Sequence, residues 1–146
     1  MSAADLVLRA LRASATGDAD AIRALYADHV DGWSAGEPIR TRDELATEVR
    51  SRATALSDVR LETDPAELPD GRVVAEWRLT ARHTGTLSLG DIDVPATGRP
   101  LDLRGAMFAE VHDNRITAFR QYWDTADLLE QLGMLDEAPE PSEART

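Results

Sequence analysis

The chain contains no cysteine. That excludes disulfides, thiolate catalysis and cysteine-held metals together, and it fits a cytoplasmic setting. Lysine is also missing: all 16 basic residues are arginine, a mark of GC-rich coding sequence rather than of function. Positive charge is scarce. Against those 16 stand 27 acidic residues, for a formal net charge of −11. Phosphate binding needs a basic surface, so nucleic acid is not an expected partner, and an anionic membrane is disfavoured for the same reason. No apolar run approaches the roughly 18–20 residues that span a bilayer. Met1-Ser-Ala-Ala-Asp-Leu6 lacks the basic start and apolar core of a secretion signal. No Gly-rich phosphate loop and no Ser/His/Asp arrangement is present. His29, His83 and His112 are scattered without a carboxylate pattern, so no metal site is expected.

What remains reads as one ordinary globular domain. The chain has 146 residues, 42% hydrophobic and 29% charged, enough to close one core or pocket. The domain is expected over residues 1–135. Residues 136–146 are acidic and proline-containing and read as a disordered tail. The first part is helical by period. Leu6, Ala10, Leu11 and Ser14 share one face, and Gly17 ends that helix. Asp18 can cap a second helix that buries Ile22, Leu25 and Tyr26. Val30 to Ser34 is extended, and Gly36-Glu-Pro38 is a turn. Thr41-Arg-Asp-Glu44 is a capping box that opens a third helix carrying Leu45, Val49 and Ala53.

From Asp58 the period becomes two. Val59, Leu61 and Thr63 form one strand, and Pro69-Asp70-Gly71 marks a turn. Val73, Ala75, Trp77, Leu79 and Ala81 then alternate with polar residues, as do Leu101, Leu103, Gly105, Met107, Ala109 and Val111. Residues 85–100 read as a long, mobile hairpin loop, a common place for a lid. Three helices followed by long antiparallel strands predict an α+β fold: a cone-shaped α+β barrel whose curved sheet wraps a pocket and is covered by the three N-terminal helices.

The stretch around which this is organised is Asn114-Arg-Ile-Thr-Ala-Phe-Arg-Gln-Tyr-Trp-Asp124. Strand alternation places Thr117, Phe119, Gln121 and Trp123 on one face and Ile116, Ala118, Arg120, Tyr122 and Asp124 on the other. Asp124, before Thr-Ala-Asp127, is a natural helix N-cap. Trp33, Trp77 and Trp123 map to the same concave side. Their flat faces suit large unsaturated ligands. Met107 supplies adaptable filler.

Five motifs, His83-Thr-Gly85, Pro95-Ala-Thr-Gly-Arg99, Asp113-Asn-Arg-Ile116, Gln121-Tyr-Trp-Asp124 and Leu129-Glu-Gln-Leu-Gly133, fall in an order and spacing that resembles the SnoaL-like polyketide cyclases, within the superfamily resembling nuclear transport factor 2. The resemblance spans roughly residues 4–134. It implies a cone with a deep apolar pocket, no cofactor, a homodimer, and a small-molecule polyketide substrate. It also shows departures. The aldol cyclases of the family carry a catalytic Asp where this chain has Gln121, and often a His where it has Met107. The epoxide-hydrolase branch has its catalytic residues at positions that look like Trp77, Leu79 and Gln121, with Asp31 and Trp33 at its water-holding positions, so that apparatus is absent.

The candidate catalytic residues are therefore Gln121 and Asp31. Glutamine cannot act as a general base, but it can hydrogen-bond a carbonyl. Asp31, if it points into an apolar pocket, would be the acid or base. The candidate substrate-binding residues are Trp33, Trp77, Leu79, Ala81, Leu103, Gly105, Met107, Phe119 and Trp123. The expectation is a cofactor-free cyclase that templates ring closure, a [4+2] cyclisation of a linear polyene. The alternatives are an acid-base cyclase using Asp31 and a non-catalytic binding or dimerisation module.

Overall fold

The structure is a computed structural model and describes residues 1–135. Residues 136–146, read above as a tail, lie outside the described residues. Helix α1, Ala3–Thr16, begins at a capping box in which Ser2 accepts the Asp5 amide and Asp5 returns the bond. It buries Leu6, Val7, Ala10 and Leu11, the face set by the 3.6-residue period. It ends at Gly17, whose φ of 76° is left-handed. A side chain there would also overlap the Ala53 methyl, so the glycine lets α1 cross α3 closely. Helix α2, Ala19–Leu25, is capped by Asp18. Tyr26 begins strand β1, Tyr26–Ser34, rather than ending the helix. The Ala35-Gly36 turn leads into β2, Glu37–Thr41. Thr41 caps α3, Arg42–Ala55, by accepting the Glu44 amide.

The remaining strands are β3 (Leu56–Thr63), β4 (Ala66–Glu67), β5 (Val73–His83), β6 (Leu87–Leu89), β7 (Ile92–Val94), β8 (Pro100–His112) and β9 (Arg115–Trp123), followed by α4, Thr125–Gln131. The main sheet runs β2-β1-β9-β8-β5-β3, with β4 on β5. Among the described residues only the β1–β9 pairing is parallel. Helices α1, α2 and α3 pack against its inner face, so the expected α+β architecture stands. Its core joins Leu6, Val7, Ile22 and Val49 to Val73, Ala75, Met107, Ala109 and Phe119.

Two local expectations change. Residues 85–100 are not a free loop. They contain the β6–β7 hairpin, with Leu87 and Val94 buried against Ala55, Leu101, Leu128 and Leu132. The base of this flap is clasped by His83, which is fully buried. Its Nδ1 accepts the Thr97 amide at 3.2 Å and lies 2.9 Å from Thr97 Oγ1. An amide can only donate, so Nδ1 is the unprotonated nitrogen and Nε2 holds the proton, without a partner among the described residues. The second change is in β9. A register shift between Glu110 and Val111 inverts the alternation below Ala118, which puts Ile116 in the core opposite Val111.

Candidate active site

Between the upper half of the concave face and α3 lies a cavity of about 780 Å³. That is in the range of about 300–1,000 Å³ typical of small-molecule sites. Two rows across the sheet make one wall. Leu61, Leu79 and Leu103 are mutual register partners, and so are Trp77, Gly105 and Trp123. The opposite wall comes from Glu48 and Arg52 of α3 and from Leu11 and Ser14 of α1. The flap closes one side with residues 87–90, and Leu128 of α4 closes another. The flap is thus part of the wall.

Gly105 determines how the tryptophans sit. A Cβ on it would overlap the Trp77 ring at Cζ2 and come 2.5 Å from the Tyr122 carbonyl oxygen. The missing side chain is the space into which the Trp77 indole lies. In that pose Trp77 Nε1 donates to Gln121 Oε1 at 3.2 Å. An indole nitrogen is a donor only, so the bond fixes which way the amide points. Gln121 Nε2 is left as a donor in the cavity wall, with no protein acceptor among the described residues. A fixed, unpaired donor among leucines and tryptophans is suited to a carbonyl oxygen.

Of the residues singled out from sequence, Gln121, Trp77, Leu79, Leu103 and Trp123 line the cavity. Gly105 lies beneath Trp77. Ala81, Met107 and Phe119 are buried core and do not line it. Phe119 packs edge-on against Tyr26 at 5.7 Å. Asp31 and Trp33 are corrections. The inward position of β1 is Gly32, where a Cβ would strike the Phe119 ring. Its neighbours on either side therefore face outward. The Asp31 side chain is 75% exposed and pairs with Arg120 at 3.0 Å. Trp33 packs on Tyr122, ring centroids 5.0 Å apart, on the convex face. Asp124 caps α4 by accepting the Asp127 amide at 3.0 Å, as expected.

Arg52 and Glu48 were not singled out from sequence. The signal was present: Leu45, Val49, Arg52 and Leu56 follow a helical stripe, with a charge at an inward position. Arg52 Nη2 donates to Ser14 Oγ at 2.7 Å. Burial pushes the guanidinium below its usual pKa, with Glu48 and then Tyr26 acting against the shift. It stays charged near neutrality. Of the other acids on that wall, Asp43 is held by Arg23 at 3.0 Å and the Glu44 carboxylate accepts the Arg40 amide at 3.5 Å. Glu48 has no cation within 4 Å among the described residues, and no group of three or more His, Asp or Glu there is placed to hold a metal.

Burial raises the Tyr26 pKa well above its ordinary 10.0, with a small opposing pull from Arg52. In the unfolded chain Tyr26 ionises first, so its contribution is complete below about pH 10 and is lost as pH rises beyond that. The chain has no lysine and two tyrosines, which leaves the alkaline range uncluttered. As pH rises above about 10 the urea midpoint of the wild type is expected to fall more steeply than that of Tyr26→Phe. Equal slopes would contradict the assignment.

Solved structures share this fold. No curated protein matches the chain. A protein from Jannaschia sp. CCS1 assigned as a SnoaL-like polyketide cyclase superposes with a TM-score of 0.75 at 15% identity, over 90% of this chain and 92% of that one. One from Xanthomonas campestris pv. campestris assigned as a polyketide cyclase gives 0.67 at 26% identity, over 88% and 94%. An LEH-like epoxide hydrolase of M. tuberculosis gives 0.64 at 21% identity, over 88% and 87%. No helix among the described residues is long and apolar enough to cross a membrane. The family model of the SnoaL-like polyketide cyclases matches residues 4–132, most of the length, and the chain belongs to that family.

Proposed function

We propose that this protein closes a ring in an apolar, unsaturated polyketide chain without a cofactor, by holding the chain in a reactive fold inside the cavity. The observation that carries this is the Gln121 amide, locked by Trp77 on a sheet-side wall of leucine and tryptophan, with Nε2 free among the described residues in the cavity lining. At the position where relatives are read to carry an acid, this chain presents a neutral donor. Such a group cannot remove a proton, but it can polarise a carbonyl that activates a double bond. Conformational restriction of a flexible polyene supplies the rest, since correct orientation of two reacting ends is worth several kcal/mol. The fitting reaction is an intramolecular [4+2] cyclisation. Its narrowest form, closure to an indane as in indanomycin biosynthesis, rests on the sequence resemblance alone.

The test is a mass measurement on purified protein given a linear polyene that carries a conjugated carbonyl. A [4+2] closure yields an isomer of unchanged mass. Aldol closure with dehydration loses water, and epoxide opening gains it. An isomeric product formed faster than in buffer, with the carbonyl retained and no new hydroxyl by NMR (an aldol addition without dehydration also leaves the mass unchanged), supports the proposal. Loss of water would move the chemistry to acid-base catalysis, and the carboxylate for that reading is Glu48, which lines the cavity without an ion partner among the described residues. No product with any linear substrate would favour a binding module. Asp31→Asn is expected to leave the rate of ring closure unchanged, because the carboxylate lies outside the cavity. A tenfold loss in a steady-state assay would contradict that placement.

The homodimer implied by the family resemblance remains part of the proposal. The convex face offers Trp33, Tyr122 and Phe108 in edge and tilted contact, with Tyr122 half exposed. Light scattering of the wild type and of Tyr122→Glu tests it: the wild type is expected to run as a dimer and the variant to shift toward monomer.

A further inference from the structure

The cavity wall holds one arginine, and neither the sequence resemblance nor the ring-closing reading gives it a task. Arg52 lies on the inward stripe of α3, half-buried, with a single hydrogen bond among the described residues, to Ser14. A guanidinium presents a planar fork of donors, and here the rest of that fork has no protein acceptor among the described residues. No carboxylate among the described residues lies within 4 Å of it, although Glu48 stands one helical turn away and lines the same cavity. A role in tying α3 to α1 would need only the Ser14 bond. A glutamine could make that bond without placing a charge in the cavity wall. Burying such a charge without a counterion is costly, and an anion brought by the ligand would offset that cost.

We propose that Arg52 anchors an oxyanion at one end of the substrate, so that the cavity takes an amphiphile: an apolar unsaturated chain with a carboxylate or an enolised dicarbonyl as its head. The inference rests on the cavity being the substrate site. The head docks on the Arg52 fork, which Ser14 holds in place. The chain runs along the Trp77–Trp123 row, and an inner carbonyl meets Gln121 Nε2. One polar fixed point sets the depth of the chain and the other sets which double bond is activated. Glu48 opposes the head and weakens its binding.

Binding followed by tryptophan fluorescence tests this with defined probes, because Trp77 and Trp123 line the cavity. Decanoate and a long-chain acyl tetronate present a carboxylate and an enolate, and decanol is the neutral control. Wild-type protein is expected to bind at least one anionic probe about tenfold or more tighter than decanol. The preferred probe tells which head the site takes. Arg52→Gln is expected to abolish the preference, Ser14→Ala to reduce it, and Glu48→Gln to strengthen anion binding severalfold. Equal binding of anions and decanol by the wild type, a comparison that needs no variant, overturns the proposal while leaving the cavity reading intact. So does a preference that survives in folded Arg52→Gln, or in Ser14→Ala should Arg52→Gln fail to fold. If no probe, decanol included, binds the wild type, the cavity reading and the anchor fail together.

Discussion

Gln121→Ala is expected to lower kcat for ring closure by about 10²-fold, the low end of what removing one preorganised donor costs in an enzyme site. KM should change little. Gln121 is one residue of a wall otherwise made of leucine and tryptophan side chains, and the chain is held mainly by that apolar surface. The loss should therefore appear as transition-state stabilisation. Trp77→Phe separates the two parts of the device. It keeps an aromatic face but removes Nε1, so the Gln121 amide is no longer held in one orientation. The expected result is an intermediate fall in kcat with the cavity still filled. Gln121→Glu should not rescue Gln121→Ala near neutrality, because an ionised carboxylate accepts hydrogen bonds and repels a carbonyl oxygen. A Gln121→Glu variant as fast as the wild type would mean that ring closure does not depend on a donor at this position.

Gly105→Ala is expected to have the largest effect on stability. The added methyl would overlap the Trp77 ring on one side and the Tyr122 carbonyl oxygen on the other, and the second is backbone. Overpacking of this kind costs about 1–3 kcal/mol. For a domain of this size that is a fall in Tm of about 3 °C per kcal/mol, readable by calorimetry. The indole can yield only by tilting into the cavity, which breaks its bond to Gln121. Activity should therefore fall beyond what the loss of folded protein explains. An unchanged Tm would show that Trp77 does not lie over Gly105.

Much of this arrangement was legible in the sequence, and the reasons are particular. The alternation 73-75-77-79-81 identified the concave face of β5, because a strand buried on one side must repeat every second residue. Gly105 stood out in an apolar series, and the structure gives the reason: it makes room for an indole. Asp124 read correctly as a cap because its spacing to Asp127 matches the first turn of a helix. Asp31 and Trp33 read wrongly for a physical reason too. Gly32 carries no side chain to mark it as the inward residue, so Trp33, the bulkiest neighbour, looked like the one to bury. In β9 the shift at Glu110 and Val111 reversed the parity of Ile116, and alternation by itself does not reveal a bulge. Residues 85–100 looked like loop because Gly90, Pro95, Gly98 and Pro100 dominate them, yet two three-residue strands suffice to bury Leu87 and Val94. Arg52 was passed over because a charge on a helix is normally assigned to solvent. Only the packing of α3 against α1 turns it inward.

The most direct test is a crystal structure of the protein with the cyclised product or an unreactive linear analogue that keeps the activating carbonyl. The prediction is that the chain lies between α3 and the Trp77–Trp123 row, with the carbonyl oxygen within hydrogen-bonding distance of Gln121 Nε2 and the Trp77–Gln121 bond intact. A ligand seated elsewhere, or a Gln121 amide turned so that Oε1 faces the ligand, would contradict it.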